Sequence, residues 1–179
     1  MLKMPCRDIG LWFCLDTNRI NARQRDHLMN QLEKWSQNDV IHLYMSEPAN
    51  IEAKRGGSAQ RHRKVAQFGP TMLTLATTSE ERALLCQIAD VLFARPPKDE
   101  NEWRDVEIVF DAKKYLGPLI TEDKGILGKR TQLRTLGIDT WTTSEAVEFV
   151  LRRIALRDEK AREVAARTGE PLPNWVGED

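Results

Sequence analysis

Apolar residues follow one another at Ile9-Gly10-Leu11-Trp12-Phe13-Cys14-Leu15 and stop at the polar triplet Asp16-Thr17-Asn18. A short unbroken apolar run closed by polar residues predicts a strand buried on both faces, as at the centre of a parallel sheet. Residues 19–38 are mostly charged or polar but set Leu28, Leu32 and Trp35 at helical spacing, which predicts a helix with one inward face. Residues 40–45 repeat the strand pattern. Ser46 is placed to cap a short helix running through Ile51 and Glu52 to Lys54. From there to Gly69 the pattern dissolves into Gly56-Gly57 and the basic cluster Arg61-His62-Arg63-Lys64, which reads as a loop.

The second half alternates in the same way. Residues 72–76 form a weak third strand, and Ser79-Glu80-Glu81-Arg82 opens a helix with Leu84, Ile88, Val91 and Leu92 as its stripe, stopped by Pro96-Pro97. A helix over 103–116 follows, with Gly117 just past its end, then a strand at 118–121 and a turn at 122–125. Helical residues reach about 136, a last strand covers 138–141, and Ser144 caps a helix to at least Arg157. Parallel neighbours need crossover connections, and right-handed crossovers put helices on both faces. The expected fold is therefore α/β, a three-layer α/β/α sandwich around a mostly parallel sheet of four or five strands.

Composition narrows the classes. The 179 residues are 41% hydrophobic and 30% charged, enough apolar surface for one core and too much for disorder. No apolar stretch approaches the roughly 20 residues of a bilayer span, and the first residues lack the apolar core of a leader, so a cytoplasmic protein without membrane contact is expected. Charges balance at 27 basic and 27 acidic residues, so any polyanion must be met by local patches. Cys6, Cys14 and Cys86 are odd in number and lack metal-ligand spacing; Cys14 and Cys86 read as small core residues.

In open α/β sheets ligands bind at the carboxyl ends of the strands. Four acids fall there: Asp16 after the first strand, Glu52 in the helix after the second, Asp105 in the first turn of the 103–116 helix, and Asp123 after the strand holding Leu119-Ile120-Thr121. Carboxylates sharing a cleft repel unless a cation neutralises them, and hard oxygens select Mg²⁺ or Mn²⁺. Such a site suits phosphodiester hydrolysis without a nucleophilic side chain. Asp111 does not join the set, since six helical residues turn it roughly 120° from Asp105.

Leu15-Asp16-Thr17-Asn18 after a buried strand, Ser46 followed six positions later by Glu52, and Asp105-Val106-Glu107-Ile108 leading to Thr121-Glu122-Asp123 resemble the PIN-domain nucleases, over about 140 residues. The resemblance implies a metal-dependent ribonuclease with Asp16, Glu52, Asp105 and Asp123 as its acidic quartet and Asn18 and Thr121 as supporting groups. It makes Asp16 and Asp105 the principal metal ligands, with Asp123 completing the ligand set, and has Glu52 and Asp123 bind metal directly or through water and orient the attacking water. It also implies RNA as substrate and, through the VapC-type toxins, an antitoxin partner and a homodimer. Residues 1–157 would form the nuclease domain, with a basic insertion at 55–69, and residues 158–179 a C-terminal extension, whose tail from Gly169 to Asp179 reads as loosely attached unless Trp175 anchors it. Arg19, Arg23, Lys54, Arg55, Arg61, Arg63 and Lys64 are the candidate RNA-binding residues.

Each acid has a plainer role when taken singly. Asp16 can cap the following helix, Asp105 can face a helix N-terminus, and Glu47 competes with Glu52. Two other functions stay open: a non-catalytic module binding RNA or protein, and a phosphatase using Asp16 as nucleophile. Asn18 weakens the latter by standing where such enzymes place a second acid.

Overall fold

The apolar run after Ile9 becomes strand β1 (Trp12–Leu15), whose Phe13, Cys14 and Leu15 are buried. It pairs in parallel with β2 (His42–Ser46) on one side, Cys14 opposite Tyr44, and with β4 (Leu119–Ile120) on the other, Leu15 opposite Ile120. Strands β3 (Thr71–Met72) and β5 (Thr140–Trp141) complete a five-stranded, all-parallel sheet in the order β3-β2-β1-β4-β5. The computed structural model describes residues 3–20, 25–55, 59–68, 71–73, 75–76, 78–115 and 117–179. The strands are short because only the central positions are sandwiched between layers. Residues 9–11, expected as strand, lie outside β1, although Leu11 still accepts a hydrogen bond from the His42 amide at 2.8 Å.

Helices α1 (His27–Gln37) and α8 (Thr143–Thr168) pack together on one face, and α4 (Ser79–Phe93) and α5 (Glu100–Lys114) on the other. The core is Phe13, Leu15 and Leu43 of the sheet with Met29, Leu32 and Trp35 of α1, Val106, Val109 and Phe110 of α5, and Val150 and Ile154 of α8. Short helices α2 (Glu47–Lys54) and α3 (Ala59–Val65) follow β2, while α6 (Lys124–Gly128) and α7 (Arg130–Thr135) join β4 to β5. The α/β/α sandwich expected from the alternation is the observed architecture.

Several boundaries differ, mostly because a side-chain cap starts a helix elsewhere. Asp26 caps α1 through the amides of Leu28 and Met29, so that helix begins at His27, after a separate 3-10 turn at Thr17–Arg19. Its inward stripe is Met29, Leu32 and Trp35; Leu28 is 40% exposed. Asp99 caps α5, which starts at Glu100 and leaves Asp105 in the second turn rather than the first. Thr142, not Ser144, caps α8 in a reciprocal capping box with Glu145. Part of the stretch expected as a loop is helix α3, and Cys86, expected in the core, is exposed.

The boundary expected between residues 157 and 158 falls inside α8, which runs unbroken to Thr168 and ends on Gly169 at φ +75°. The tail after Gly169, expected as loosely attached, is tied down. Trp175 lies over the Arg157 guanidinium at 4.3 Å, and Asp179 pairs with both Arg7 and Arg157. Gly117 has a packing role: a Cβ there would come within 2.8 Å of the Trp12 carbonyl, so only glycine lets the chain pass so close to β1.

Candidate active site

The strand order reverses between β1 and β4. The chain leaves β1 toward β2 and β3, then crosses back to enter β4 on the other side, and such a switch opens a crevice at the carboxyl ends of the two strands. Asp16 follows β1 directly and Thr121 follows β4, side by side because the Asp16 amide donates to the Ile120 carbonyl at 3.1 Å. Backbone register alone brings two residues 105 positions apart into contact.

The Thr121 hydroxyl donates to Asp16 Oδ2 and accepts from Asn18 Nδ2 at 3.2 Å and from the Asp123 amide at 2.9 Å. Asn18 Nδ2 also donates to Asp16 Oδ2 at 2.7 Å. The amide orientation is set from behind, because Arg19 Nε at 2.8 Å and the Glu122 amide at 3.3 Å both donate to Asn18 Oδ1. With two donors on the oxygen side, the nitrogen must face Asp16. Asp16, Asn18 and Thr121 thus form one bonded unit, with Asp16 and Thr121 buried and Asn18 at the rim.

The other three acids arrive from separate elements. Glu52 of α2 is exposed, and its Oε2 accepts from the Thr17 hydroxyl at 2.7 Å, which ties α2 to the turn after β1. Asp123 is exposed and spends Oδ1 on the Ile126 amide as the cap of α6. Asp105, half-buried on α5, accepts no hydrogen bond from any described residue. Burial raises its pKa from 3.8 to about 7, aided by the charges of Asp16, Asp123 and Glu52. Burial likewise raises the pKa of Asp16, against the hydrogen bond from Thr121 and with the charges of Glu52 and Asp123 adding to it. The four carboxylates therefore share one electrostatic environment.

Sharing a field is a weaker condition than sharing an ion. Among the described residues no three carboxylate, imidazole or thiol groups form a set that could hold one metal as they stand. Asp123 caps a helix and Glu52 is held by Thr17, so part of each carboxylate is already used. What the donors offer is hard carboxylate oxygen, the ligand type that suits Mg²⁺ or Mn²⁺. A carboxyl group titrating near neutrality can also exchange a proton at working pH. Asp111 is excluded from the cleft: it is fully buried and acts on Cys14 and Tyr44 inside.

The candidate RNA-binding residues divide. Arg19 is spent within the protein, donating to Asn18, to Asp26 at 3.2 Å and to Thr143 at 3.1 Å, and lying 3.7 Å from Glu122. Lys64 is overturned as a phosphate contact: it is 6% exposed and paired with the equally buried Glu33. Arg55 is exposed but paired with Glu100 at 3.2 Å, and Arg61 reaches the Thr17 carbonyl at 3.5 Å. Lys54 and Arg63 are exposed. Arg23 lies outside the described residues.

Two residues have roles that only the structure reveals. Thr17, in the middle of the Asp16-Thr17-Asn18 triplet, positions Glu52, and Arg19 acts as a clamp on Asn18 rather than as a contact to substrate. Adjacency to Asp16 was the only signal for either, since their partners lie up to 124 positions away. No family model matches this sequence, and no curated protein matches it significantly.

Proposed function

We propose that the chain is a ribonuclease dependent on Mg²⁺ or Mn²⁺, with Asp16, Asp105 and Asp123 as the residues that would hold the ion. The observation that carries this reading is the gathering of four acids, from four separate elements, at the switch point of a parallel sheet, where the charges of Asp16, Asp123 and Glu52 all act on Asp105. Such an arrangement destabilises the fold unless a cation or proton is part of its use. When bound, the ion supplies Lewis acidity for phosphodiester hydrolysis. Thr121 and Asn18 hold Asp16 in place, and Thr17 holds Glu52, the carboxylate that would orient the attacking water at the cleft. Among the described candidates, Lys54 of α2 and Arg63 of α3 are exposed and offered to RNA phosphates.

The test is cleavage of a single-stranded RNA with Mn²⁺ by the wild type, Asp16→Asn and Asp105→Asn, each checked for folding by circular dichroism. Loss of at least about a hundredfold in rate is expected from either variant, the size seen when a catalytic group is removed. Undiminished cleavage by both would overturn the assignment. The competing reading, a non-catalytic module, draws on the fact that no three described groups form an ion-holding set. Calorimetric titration with Mn²⁺ separates the two, because the nuclease reading requires binding that Asp16→Asn weakens.

A further inference from the structure

At the opposite end of β1 from the carboxylates, the segment leading into the sheet leaves an open groove of about 270 Å³ against α8. Pro5, Cys6 and Ile9 form one wall, and Arg153, Leu156 and Lys160 the other. Positions 153, 156, 157 and 160 follow helical i, i+3, i+4, i+7 spacing, so they share one face of α8. Leu156 in the middle of that face is 59% exposed, an apolar side chain presented to solvent between two cations.

The charges in the groove are unbalanced. Arg157 is neutralised by Asp158 and Asp179 and also donates to the Arg7 carbonyl. Asp8 is directed to His42 at 3.0 Å and to the Gly10 amide at 2.7 Å. Arg153 and Lys160 form no ion pair with any described residue, so two positive charges flank an apolar centre. The volume is below the roughly 300–1,000 Å³ of small-molecule sites, which favours an inserted side chain over a whole ligand.

We propose that this groove docks an extended acidic segment of a partner protein, with one apolar side chain on Leu156 and Ile9 and a carboxylate on each side toward Arg153 and Lys160. Seven helical residues span about 10.5 Å, and at about 3.3 Å per extended residue three to four peptide positions cover that length. Residues i, i+2 and i+4 of a strand face the same way, so the matching pattern is acidic-x-apolar-x-acidic. The site is independent of the carboxylate cleft and of the ribonuclease reading.

Cys6 supplies the readout, because it lines the groove and is exposed, while exposed Cys86 on α4 serves as an internal reference. Alkylation of both thiols by N-ethylmaleimide is followed by mass spectrometry with the capped peptide acetyl-Ser-Glu-Ser-Leu-Ser-Glu-Ser-amide present. At about 2 mM peptide and a Kd of about 1 mM, Cys6 should react about threefold more slowly and Cys86 unchanged. The double variant R153E/K160E, altered only at exposed positions, should lose the protection. The proposal is overturned if Cys6 is not protected, or if the Lys-for-Glu peptide protects it equally. It is equally overturned if inorganic phosphate or an oligouridylate protects Cys6 as well as the acidic peptide does, since the groove would then be a general anion or RNA site.

Discussion

Asp105 is where burial and charge act on one side chain with the largest visible consequence. Its pKa is raised in the folded protein from 3.8 to about 7, so the folded state binds a proton that the unfolded chain has already released. Stability contributed by that proton is present below pH 4 and is lost as pH rises toward 7, the reverse of an ion-paired aspartate. Solvent reaches part of the carboxylate, so the loss should be about 1–3 kcal/mol rather than the full linkage value. Asp105→Asn is expected to remove this dependence and to raise Tm at pH 8, as thermal melts between pH 4 and 8 would show. A higher Tm for the wild type at pH 8 than at pH 5, with the variant flat, would contradict the environment described. The residue types at Asp16, Asn18 and Thr121 could be read from their place beside strands. The raised pKa of Asp105 could not, because it depends first on burial and then on charges brought in by three other elements.

Helix α3 shows how far an element's role can depart from its composition. Arg61-His62-Arg63-Lys64 is strongly basic, and an isolated basic stretch reads as a solvated loop or a phosphate contact. Packing turns one of these residues inward instead, and Lys64 pairs with Glu33 of α1 where both side chains are less than a tenth exposed. Removing one partner strands a buried charge, whereas replacing both by apolar residues of similar volume does not. Lys64→Ala should therefore cost about 3–5 kcal/mol in urea unfolding, while Glu33→Leu with Lys64→Met should be close to neutral. An equal loss in the single and double variants would show that the pair is not what holds α3. Helix starts at Ser46 and near residue 79 were readable because caps act within three residues. Those at Asp26 and Asp99 differ because the sequence pattern places the first helix directly after the polar triplet, from Arg19, and the second from the apolar Trp103.

Across the whole molecule, the two ends of the described chain close on each other. Arg7 and Arg157 share Asp179, Trp175 covers the Arg157 guanidinium, and the Gly177 amide donates to Asp158 at 2.8 Å. This strap ties residues 5–9 to α8 and so builds one wall of the groove described above. Deleting residues 170–179 should lower stability by about 2–4 kcal/mol, through loss of buried ion pairing and the cation–π contact. Hydrogen exchange should quicken at residues 5–11 while Phe13 and Cys14 stay protected. Unchanged exchange there would mean that the strap does not hold the segment. Among the described residues no helix is long and apolar enough to cross a membrane.

Local physics was sufficient for the order of strands and helices, the burial of β1 and the parallel sandwich, because strand alternation and helical stripes act over a few neighbouring residues. It also marked the carboxyl ends of the strands as the place where acids matter, since parallel strands put all of those ends on one side of the sheet. The tie between Thr17 and Glu52, the bond of Asn18 to Thr121, the burial of Lys64, the anchoring of Arg19 on Thr143 and the pairing of Arg7 with Asp179 rest on partners 31 to 172 positions apart along the chain. Contacts at that separation carry no periodic signature. They exist only once the backbone has folded and dielectric, charge and hydrogen bonding are set by whichever residues have been brought near.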